Sequence, residues 1–337
     1  MRLFNANTLL LVLTPLVFFS PILAIIIGSA NIEFENVIGA ILRAINFDTP
    51  ATGSLAISDR IIIELRMPRA IMAMVCGAGL AISGSVLQCV TRNPLADPYL
   101  FGISSGAALG AILAITGGIA FLPLPICAFL GSLIAVGMVM IMSRDGQVET
   151  LVLSGVAISF LLSSIANLIL YFSDQQAIQA VLFWSLGSFA NATWSSLFYP
   201  SLIVFLGSII IFRFQRPLHA LMVGNESAHT QGVAVLPLRL GMLMLTALIT
   251  SSLVATCGGI GFVGLMVPHI SRILLGAAHP AGLIVTAMMG AILMVSVDIL
   301  SRVILPSQEL PVGVMTAMMG SAFFISLLIK RQQKATR

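Results

Sequence analysis

The charged residues of this chain are few and are grouped between long apolar runs. A soluble domain carries roughly a quarter charged residues, whereas this chain of 337 residues has 8%. The stretch from Leu9 to Ile27 has no ionisable side chain, and similar runs recur to the C-terminus. About 20 apolar residues make a helix that crosses the hydrocarbon core of a bilayer. The sequence therefore predicts an all-α polytopic membrane protein.

Composition favours one integral membrane domain over residues 1–337. Apolar residues make up 58% of the chain, and no linker rich in Pro, Ser or charge interrupts the pattern. The net charge of +4 is ordinary for an inner-membrane protein, so we expect no nucleic-acid partner. The cysteines are dispersed without a CxxC pair, which favours small buried apolar side chains over a disulfide or metal site. They are Cys76, Cys89, Cys127 and Cys257.

Apolar runs bounded by Pro, Gly or charge predict about ten transmembrane helices. The first run follows Arg2 and exceeds the apolar part of a usual signal peptide, so we interpret it as a membrane helix. Short or broken runs are tolerated where neighbouring helices satisfy the backbone. The predicted spans cover residues 8–30, 67–89, 97–115, 123–142, 149–172, 194–213, 239–256, 259–275, 281–304 and 312–329.

The distribution of basic residues orients these spans. Ten spans put both termini on one side, and the basic tail of Lys330, Arg331, Lys334 and Arg337 assigns that side to the cytoplasm. Alternation then leaves most of the 16 basic residues inside. We therefore predict a multi-pass protein of the bacterial inner membrane with both termini cytoplasmic.

Three arginines lie at the outer ends of predicted spans. Arg66 and Arg69 flank Pro68 at the end of the second span, and Arg302 ends the ninth. Long basic side chains at helix ends often extend toward the interface. Arginine also suits bidentate recognition of carboxylates, so a positive outer rim for an acidic partner is the alternative interpretation.

Enzyme motifs are absent from the sequence. The four histidines never have HExxH spacing, and neither lysine follows a glycine, so there is no Walker A loop. If transport consumes ATP, another chain must hydrolyse it. We expect no catalytic residue, metal site or cofactor in this chain.

Asp298 is the single acid in the interior of a predicted span, because Asp97 and Glu149 stand at the first residues of theirs. An acid within the membrane is a candidate proton carrier, which would make the chain a proton-coupled secondary transporter. Its i, i+4 spacing to Arg302 instead favours a structural ion pair on one helix face.

Glycine spacing and one polar segment add local predictions. Gly102, Gly106 and Gly110 form a ridge for close helix packing, and the glycine-rich stretch 257–264 predicts a bent or shortened helix. The segment 215–237 predicts two short cytoplasmic helices interrupted at Gly224, which would form a docking platform, with a solvated loop as the alternative.

Several stretches of the chain together look like one family. They are Leu-Arg-Met-Pro-Arg at 65–69, Gly-Ala-Gly-Leu-Ala-Ile-Ser-Gly at 77–84, Arg-Asn-Pro-Leu-Ala-Asp-Pro at 92–98, Gly-Ile-Ser-Ser-Gly-Ala at 102–107, Gly-Phe-Val-Gly-Leu-Met-Val-Pro-His-Ile-Ser-Arg at 261–272 and Glu-Leu-Pro-Val-Gly-Val at 309–314. This ordered set resembles the FecCD permeases of type II ABC importers, and the resemblance extends from about residue 60 to the C-terminus.

The resemblance implies a BtuC-like permease fold and an assembly. A second copy of the chain completes a homodimer, two ABC ATPase subunits bind ATP and Mg²⁺ on the cytoplasmic side, and a periplasmic substrate-binding protein docks outside. Relatives carry ferric siderophores, haem or cobalamin, and one subgroup carries molybdate or tungstate. The length and several segments look most like that molybdate/tungstate subgroup.

The resemblance also implies roles for particular residues. Arg66, Arg69 and Arg302 would dock the binding protein, and a short outer helix would lie within 173–191. The turn at Val148, Glu149 and Thr150 would form the cytoplasmic gate, where relatives often carry small hydroxyl residues, so that Glu149 is a departure. Coupling to the ATPase would fall on Leu218, Leu221, Met222, Gly224, Glu226 and Gly232.

Overall fold

A computed structural model describes residues 5–28, 33–46, 54–119, 121–144, 147–276, 279–305 and 308–335, and these contain helices without any strand. In chain order the helices are α1 (Ala6–Ile26), α2 (Phe34–Asn46), α3 (Ser54–Arg60), α4 (Met67–Val90), α5 (Ile103–Ile115), α6 (Leu124–Met142), α7 (Val148–Tyr171), α8 (Gln175–Ser185), α9 (Trp194–Arg213), α10 (Gln215–Val223), α11 (Asn225–Thr230), α12 (Val235–Cys257), α13 (Val263–Leu275), α14 (Gly282–Val303) and α15 (Val312–Ala335).

Eight helical stretches of the described chain are long and apolar enough to cross a membrane, and α5 and α13 are shorter apolar helices. Together they correspond to the ten predicted spans, although some bounds differ. The predicted start of α5 at residue 97 is wrong, because a 3₁₀ turn at Pro98–Phe101 and a left-handed Gly102 precede the helix. The predicted start of α13 at residue 259 is also early, because the chain is irregular until Phe262.

The second span is longer than the sequence pattern predicts. A continuous helical stretch of 36 residues runs from Leu55 to Val90, where the prediction begins at residue 67. Pro68 suggests a helix start because it has no N–H and its ring crowds the preceding turn. The chain accommodates Pro68 with a wider π-helical stretch at Ile61–Arg66, so α3 continues into α4.

Glycines allow α4 to pack against two neighbours at backbone contact. A methyl group at Gly77 would collide with the carbonyl of Gly290 in α14, and one at Gly84 would collide with that of Gly264 in α13. Such small residues drive close association of membrane helices. As a result, 72% of the most apolar part of the Leu55–Val90 stretch is buried, compared with 17% for α1.

The predicted glycine ridge of α5 is confirmed. Gly106 lies against the carbonyl of Gly131, and Gly110 lies against that of Cys127, both in α6. Close contact between these two backbones fixes the α5–α6 pair, and Gly102 supplies the left-handed turn that begins α5. The predicted short helix within 173–191 is also present as α8.

The glycine-rich stretch between α12 and α13 joins three parts of the chain by backbone hydrogen bonds. Ser188 N–H donates to the carbonyl of Cys257 over 2.8 Å, and Val312 N–H donates to that of Gly187 over 3.0 Å. Gly258 has a positive φ of 76°, and a methyl group there would strike the carbonyl of Trp184. The predicted shortened helix therefore exists, and it ends in a junction of α8, α12 and α15.

Candidate functional site

Asp298 of α14 lies at the centre of an ion-pair cluster. Its side chain has no exposed surface, its Oδ1 is 2.8 Å from Arg69 Nε, and its Oδ2 is 3.0 Å from Arg302 Nη2. The predicted i, i+4 pair with Arg302 is confirmed, and Arg69 of α4 is a second partner. Both carboxylate oxygens of Asp298 are therefore engaged by guanidiniums. The geometry gives Asp298 a structural role rather than that of a proton carrier.

Arg69 also reaches the surface of the protein. Its Nη1 and Nη2 bind the two carboxylate oxygens of Glu309 at 3.0 and 2.9 Å, a bidentate arrangement. The Glu309 side chain is 43% exposed, whereas that of Arg69 is 11% exposed. Arg69 therefore links the buried Asp298 to an accessible carboxylate.

Arg66 and Arg302 bind the last carbonyl groups of α1. Arg66 Nη1 donates to Ile25 O at 2.6 Å and to Ile26 O at 3.1 Å. Arg302 donates to Ile27 O at 2.9 Å and to Ala24 O at 3.0 Å. The last four carbonyls of a helix have no partner within it and carry its negative dipole end. The two guanidiniums therefore cap α1 and tie it to α4 and α14.

The three arginines of the predicted docking rim are thus largely internal. Arg66 and Arg302 are each 8% exposed as whole residues. The expected exposure of these arginines is wrong, because bonds to α1, Asp298 and Glu309 draw the guanidiniums inward. Their role in docking the binding protein stays a prediction. We call Arg66, Arg69, Asp298, Arg302 and Glu309 the arginine cluster.

The segment 215–237 forms the two predicted helices, α10 and α11, rather than a solvated loop. Gly224 separates them with a φ of 156°, and Gly232 follows α11 with a φ of 75°, both in the region that favours glycine. Arg239 Nη2 binds Asn225 Oδ1 at 3.2 Å and so joins α11 to α12. We call α10 and α11 the surface helices.

The apolar side of α10 faces the protein, so it does not form a docking face. Leu218 and Leu221 are 2% and 1% exposed, and Met222 packs against the same core. The amphipathic pattern that suggested docking is therefore the pattern of a helix lying on its own bundle. The exposed positions include Val223, which is 76% exposed, and Glu226 in the first turn of α11.

The predicted gate residues form the first turn of α7. Glu149 is exposed there, and Val148 and Thr150 are partly buried. A carboxylate in the first turn of a helix interacts favourably with the helix dipole. The helix dipole therefore explains why a carboxylate is favourable at position 149. The gating role of Glu149 stays a prediction.

One polar feature of the loop between α4 and α5 was not singled out from the sequence. Asp97 accepts a hydrogen bond from Tyr99 N–H at 2.9 Å and caps the short turn that follows. Burial raises the pKa of the Asp97 carboxyl to about 6. The Tyr99 hydroxyl donates to Ile260 O at 3.0 Å and accepts from Ile260 N–H at 2.9 Å. The motif at 92–98 thus anchors the loop to the glycine-rich junction.

The part of the chain that the structure describes contains no cluster of metal ligands. No group of three His, Cys, Asp or Glu side chains there is close enough to hold an ion. All four cysteines are free and buried, as predicted.

Comparison with known proteins agrees with this architecture. The sequence profile of the FecCD transport family matches residues 16–330. The chain belongs to the FecCD transport family. FecCD proteins are membrane-spanning permeases of ABC transporters, and they work with ABC ATPase and binding-protein subunits.

Named relatives of this FecCD permease carry different substrates. The haemin permease HmuU of Yersinia pestis is 38% identical over 70% of this chain and 73% of its own length. The cobalamin permease BtuC of Halobacterium salinarum is 34% identical over 82% and 74%. The molybdate permease MolB of Haemophilus influenzae is 35% identical over 72% and 73%.

A solved structure shares the fold over nearly the full chain. It is described as an inward-facing metal-chelate type ABC transporter, and it covers 96% of this chain and 99% of its own. The TM-score is 0.84 at 31% sequence identity. The predicted BtuC-like, all-α permease fold is confirmed.

Proposed function

We propose that this FecCD permease forms the translocation pathway of a binding-protein-dependent importer for a metal-containing substrate. Two copies would assemble with two ABC ATPase subunits, which bind ATP and Mg²⁺, while this chain itself needs no cofactor. The observation that carries the proposal is the match, over 96% of the chain, to a metal-chelate type ABC transporter. Movement would follow alternating access, driven by ATP-dependent closure of the ATPase subunits.

The proposed orientation puts the surface helices in the cytoplasm of a bacterium and the arginine cluster outside the inner membrane. It rests on the excess of basic residues at the ends assigned to the cytoplasm, including the C-terminal tail. Maleimide labelling of single cysteines in intact cells tests it, since the native cysteines are buried. Val223→Cys should stay unlabelled until the membrane is permeabilised, and labelling in intact cells would reverse the topology.

Coupling to the ATPase would use the exposed side of the surface helices. Leu218, Leu221 and Met222 hold α10 on the bundle, Gly224 and Gly232 shape the turns, and Glu226 is exposed for contact. Val223→Glu should reduce ATPase co-purification without lowering the melting temperature. A matched change on the opposite end, Leu65→Glu at a residue 57% exposed, should leave co-purification intact. Equal losses would count against coupling through α10.

Docking of the binding protein would centre on Arg69. This arginine is the member of the predicted docking set that already bonds an exposed carboxylate, Glu309. An acidic side chain of the partner would replace Glu309, whereas Arg66 and Arg302 would position α1. Glu309→Gln should therefore strengthen association several-fold at low salt, and an unchanged or weaker association would contradict this exchange. The Arg69→Glu and Arg66→Glu reversals should each weaken it.

The narrower proposal for the substrate is molybdate or tungstate. Support comes from a molybdate permease at 35% identity, although haemin and cobalamin permeases at 38% and 34% leave haem, cobalamin or iron-siderophores as alternatives. Calorimetric titration of the purified binding protein with molybdate, haemin, cobalamin and a ferric siderophore separates them. Saturable binding of a chelate without binding of molybdate would overturn the narrower proposal.

The proton-coupled alternative receives no support from the geometry. It requires Asp298 to titrate in a pathway, whereas Asp298 is fully buried between Arg69 and Arg302. The reconstituted complex tests it through uptake against an imposed pH gradient. ATP-dependent uptake that ignores the gradient fits the ABC importer, and gradient-driven uptake without ATP would restore the alternative.

A further inference from the structure

A small cavity of about 30 Å³ lies beneath α10, at the opposite end of α4 from the arginine cluster. Four elements enclose it, namely the last turns of α4, the inner side of α10, the last turns of α13 and the start of α14. Its polar lining includes Gln215, His219, Ser271, Arg272 and His279. None of these residues belongs to the arginine cluster or to the predicted coupling set.

The fixed charge of this cavity is positive. Arg272 lines it, and the bond described for its guanidinium goes to the neutral side-chain oxygen of Gln88. No carboxylate is among the described residues that line the cavity. A buried charge is costly unless a counter-charge or several hydrogen bonds compensate it. Arg272 is partly buried, and the described lining gives it no carboxylate partner, so it is a cation available to a solute that enters.

The two histidines add hydrogen-bond donors. His279 Nδ1 accepts the N–H of Ala281 at 3.1 Å, so the neutral ring carries its proton on Nε2. His219 is partly buried, and burial lowers its pKa. The hydroxyls of Ser271 and Thr286 both donate to the carbonyl of Gly282, at 3.3 and 2.7 Å. The donors left for a ligand thus include Arg272 and the two imidazoles.

A bound metal ion does not fit this lining. Cys89, His219 and His279 all line the cavity, which are ligand types that zinc prefers. The described residues nevertheless contain no group of three such side chains close enough to hold an ion. Arg272 adds a like charge that repels a cation. Charge and donor chemistry both favour an anion.

We propose that the cavity binds one small tetrahedral oxyanion, of the class of phosphate, sulfate or molybdate, between Arg272, His219 and His279. The anion would link α10 to the α13–α14 region through groups on all three. This consequence rests on the proposed function, in which α10 transmits movement of the ATPase subunits. An anion bound in the cavity would hold α10 against the bundle and slow ATP turnover. At the cytoplasmic end this would make the site a sensor of anion inside the cell.

Binding should depend on pH through His219. The titratable groups lining the cavity are Cys89 of α4, His219 of α10, Arg272 of α13 and His279 before α14. Burial lowers the pKa of His219, so its imidazole gains charge only as the pH falls below the usual histidine value of about 6.5. Affinity for the anion should therefore rise as the pH is lowered below that value.

Isothermal titration of the permease in lipid nanodiscs tests the site directly. Sodium molybdate, phosphate and sulfate are each compared with sodium chloride at equal ionic strength. We expect one saturable site per chain for at least one oxyanion, and roughly tenfold weaker binding in His279→Gln and in His219→Gln. His229→Gln is the matched control, because His229 lies on α11 outside the cavity, and it should bind as the unmodified chain does.

The arms of the titration distinguish the source of the anion. Preference for molybdate identifies the proposed cargo as the ligand, whereas equal binding of phosphate identifies a general oxyanion site, and both support the proposal. The proposal is overturned if binding does not saturate or needs molar concentrations of anion. It is also overturned if both histidine variants bind as the unmodified chain does. Because no ATPase or binding protein is present, this failure would leave the importer function untouched.

Discussion

The two ends of α4 are held by different chemistry. At the Arg66 end, charged side chains join α4 to α14 and to the carbonyls of α1. At the Val90 end, glycine backbones meet and Gln88 donates its amide to Gly264 O at 3.1 Å. Buried ion pairs are expensive to separate, whereas neutral contacts between small residues tolerate adjustment. We expect the charged end to move as one unit and α10, α13 and the cavity to change between transport states.

The largest expected effect is at the centre of the arginine cluster. Asp298→Asn removes the buried carboxylate that Arg69 and Arg302 share and leaves Arg69 only its more exposed partner Glu309. Removal of one partner of a buried pair costs about 3–5 kcal/mol of unfolding free energy. Thermal melting in mild detergent should show a drop of several degrees or more. Glu309→Gln, at a half-exposed partner, should cost less than about 1 kcal/mol. Equal losses would mean that burial does not set the strength of the cluster.

The glycine crossing at the opposite end should respond to added volume. Gly84→Ala places a methyl group against the carbonyl of Gly264, and overpacking of this kind costs about 1–3 kcal/mol. Gly137→Ala is the control, because the added methyl meets no atom of the described residues within 4 Å beyond its chain neighbours and its own helix backbone. It should stabilise α6 by up to about 1 kcal/mol. Similar melting temperatures for the two variants would show that α4 and α13 separate freely.

The loop at the Val90 end should make stability depend on pH through Asp97. Its folded pKa of about 6 exceeds the unfolded value of about 3.9, so its protonated form favours the folded state. This contribution is complete below pH 4 and is lost as pH rises through 6. Since Asp97 is partly exposed, we expect about 1 kcal/mol.

Asp97→Asn isolates that contribution, because asparagine keeps the cap on Tyr99 N–H. Relative to the unmodified chain, the variant should gain stability between pH 5 and pH 7.5. The difference between the two melting curves cancels the titration of other carboxylates. A constant difference across this range would refute the assignment to Asp97.

The smallest effect on stability is expected at an exposed ion pair that lies one or two helical turns from the arginine cluster. Arg60 Nε lies 2.8 Å from Glu64, with side chains 77% and 56% exposed. Solvent screening leaves such pairs nearly neutral for stability. Arg60→Ala should not change the melting temperature measurably. A drop comparable with that of Asp298→Asn would show that charge near α4, rather than burial, stabilises this end.

What the sequence could predict follows from local pattern. Apolar run length predicts the spans, i, i+4 spacing predicts the Asp298–Arg302 pair, and glycine at every fourth residue predicts close packing of α5 against a neighbouring helix. The prediction of an exposed arginine rim was wrong because the partners of these arginines, the carbonyls of α1 and Glu309, come from distant parts of the chain. The prediction that the apolar side of α10 docks a partner was wrong because an amphipathic pattern does not show which surface covers the apolar side.

The composition of the intact complex tests the central claim most directly. The tagged chain is expressed with its neighbouring genes, extracted in mild detergent and weighed by native mass spectrometry. The account predicts two copies of this permease with two ATPase subunits, and ATP-dependent uptake after reconstitution. A permease that purifies alone and still transports in vesicles without ATP would contradict it.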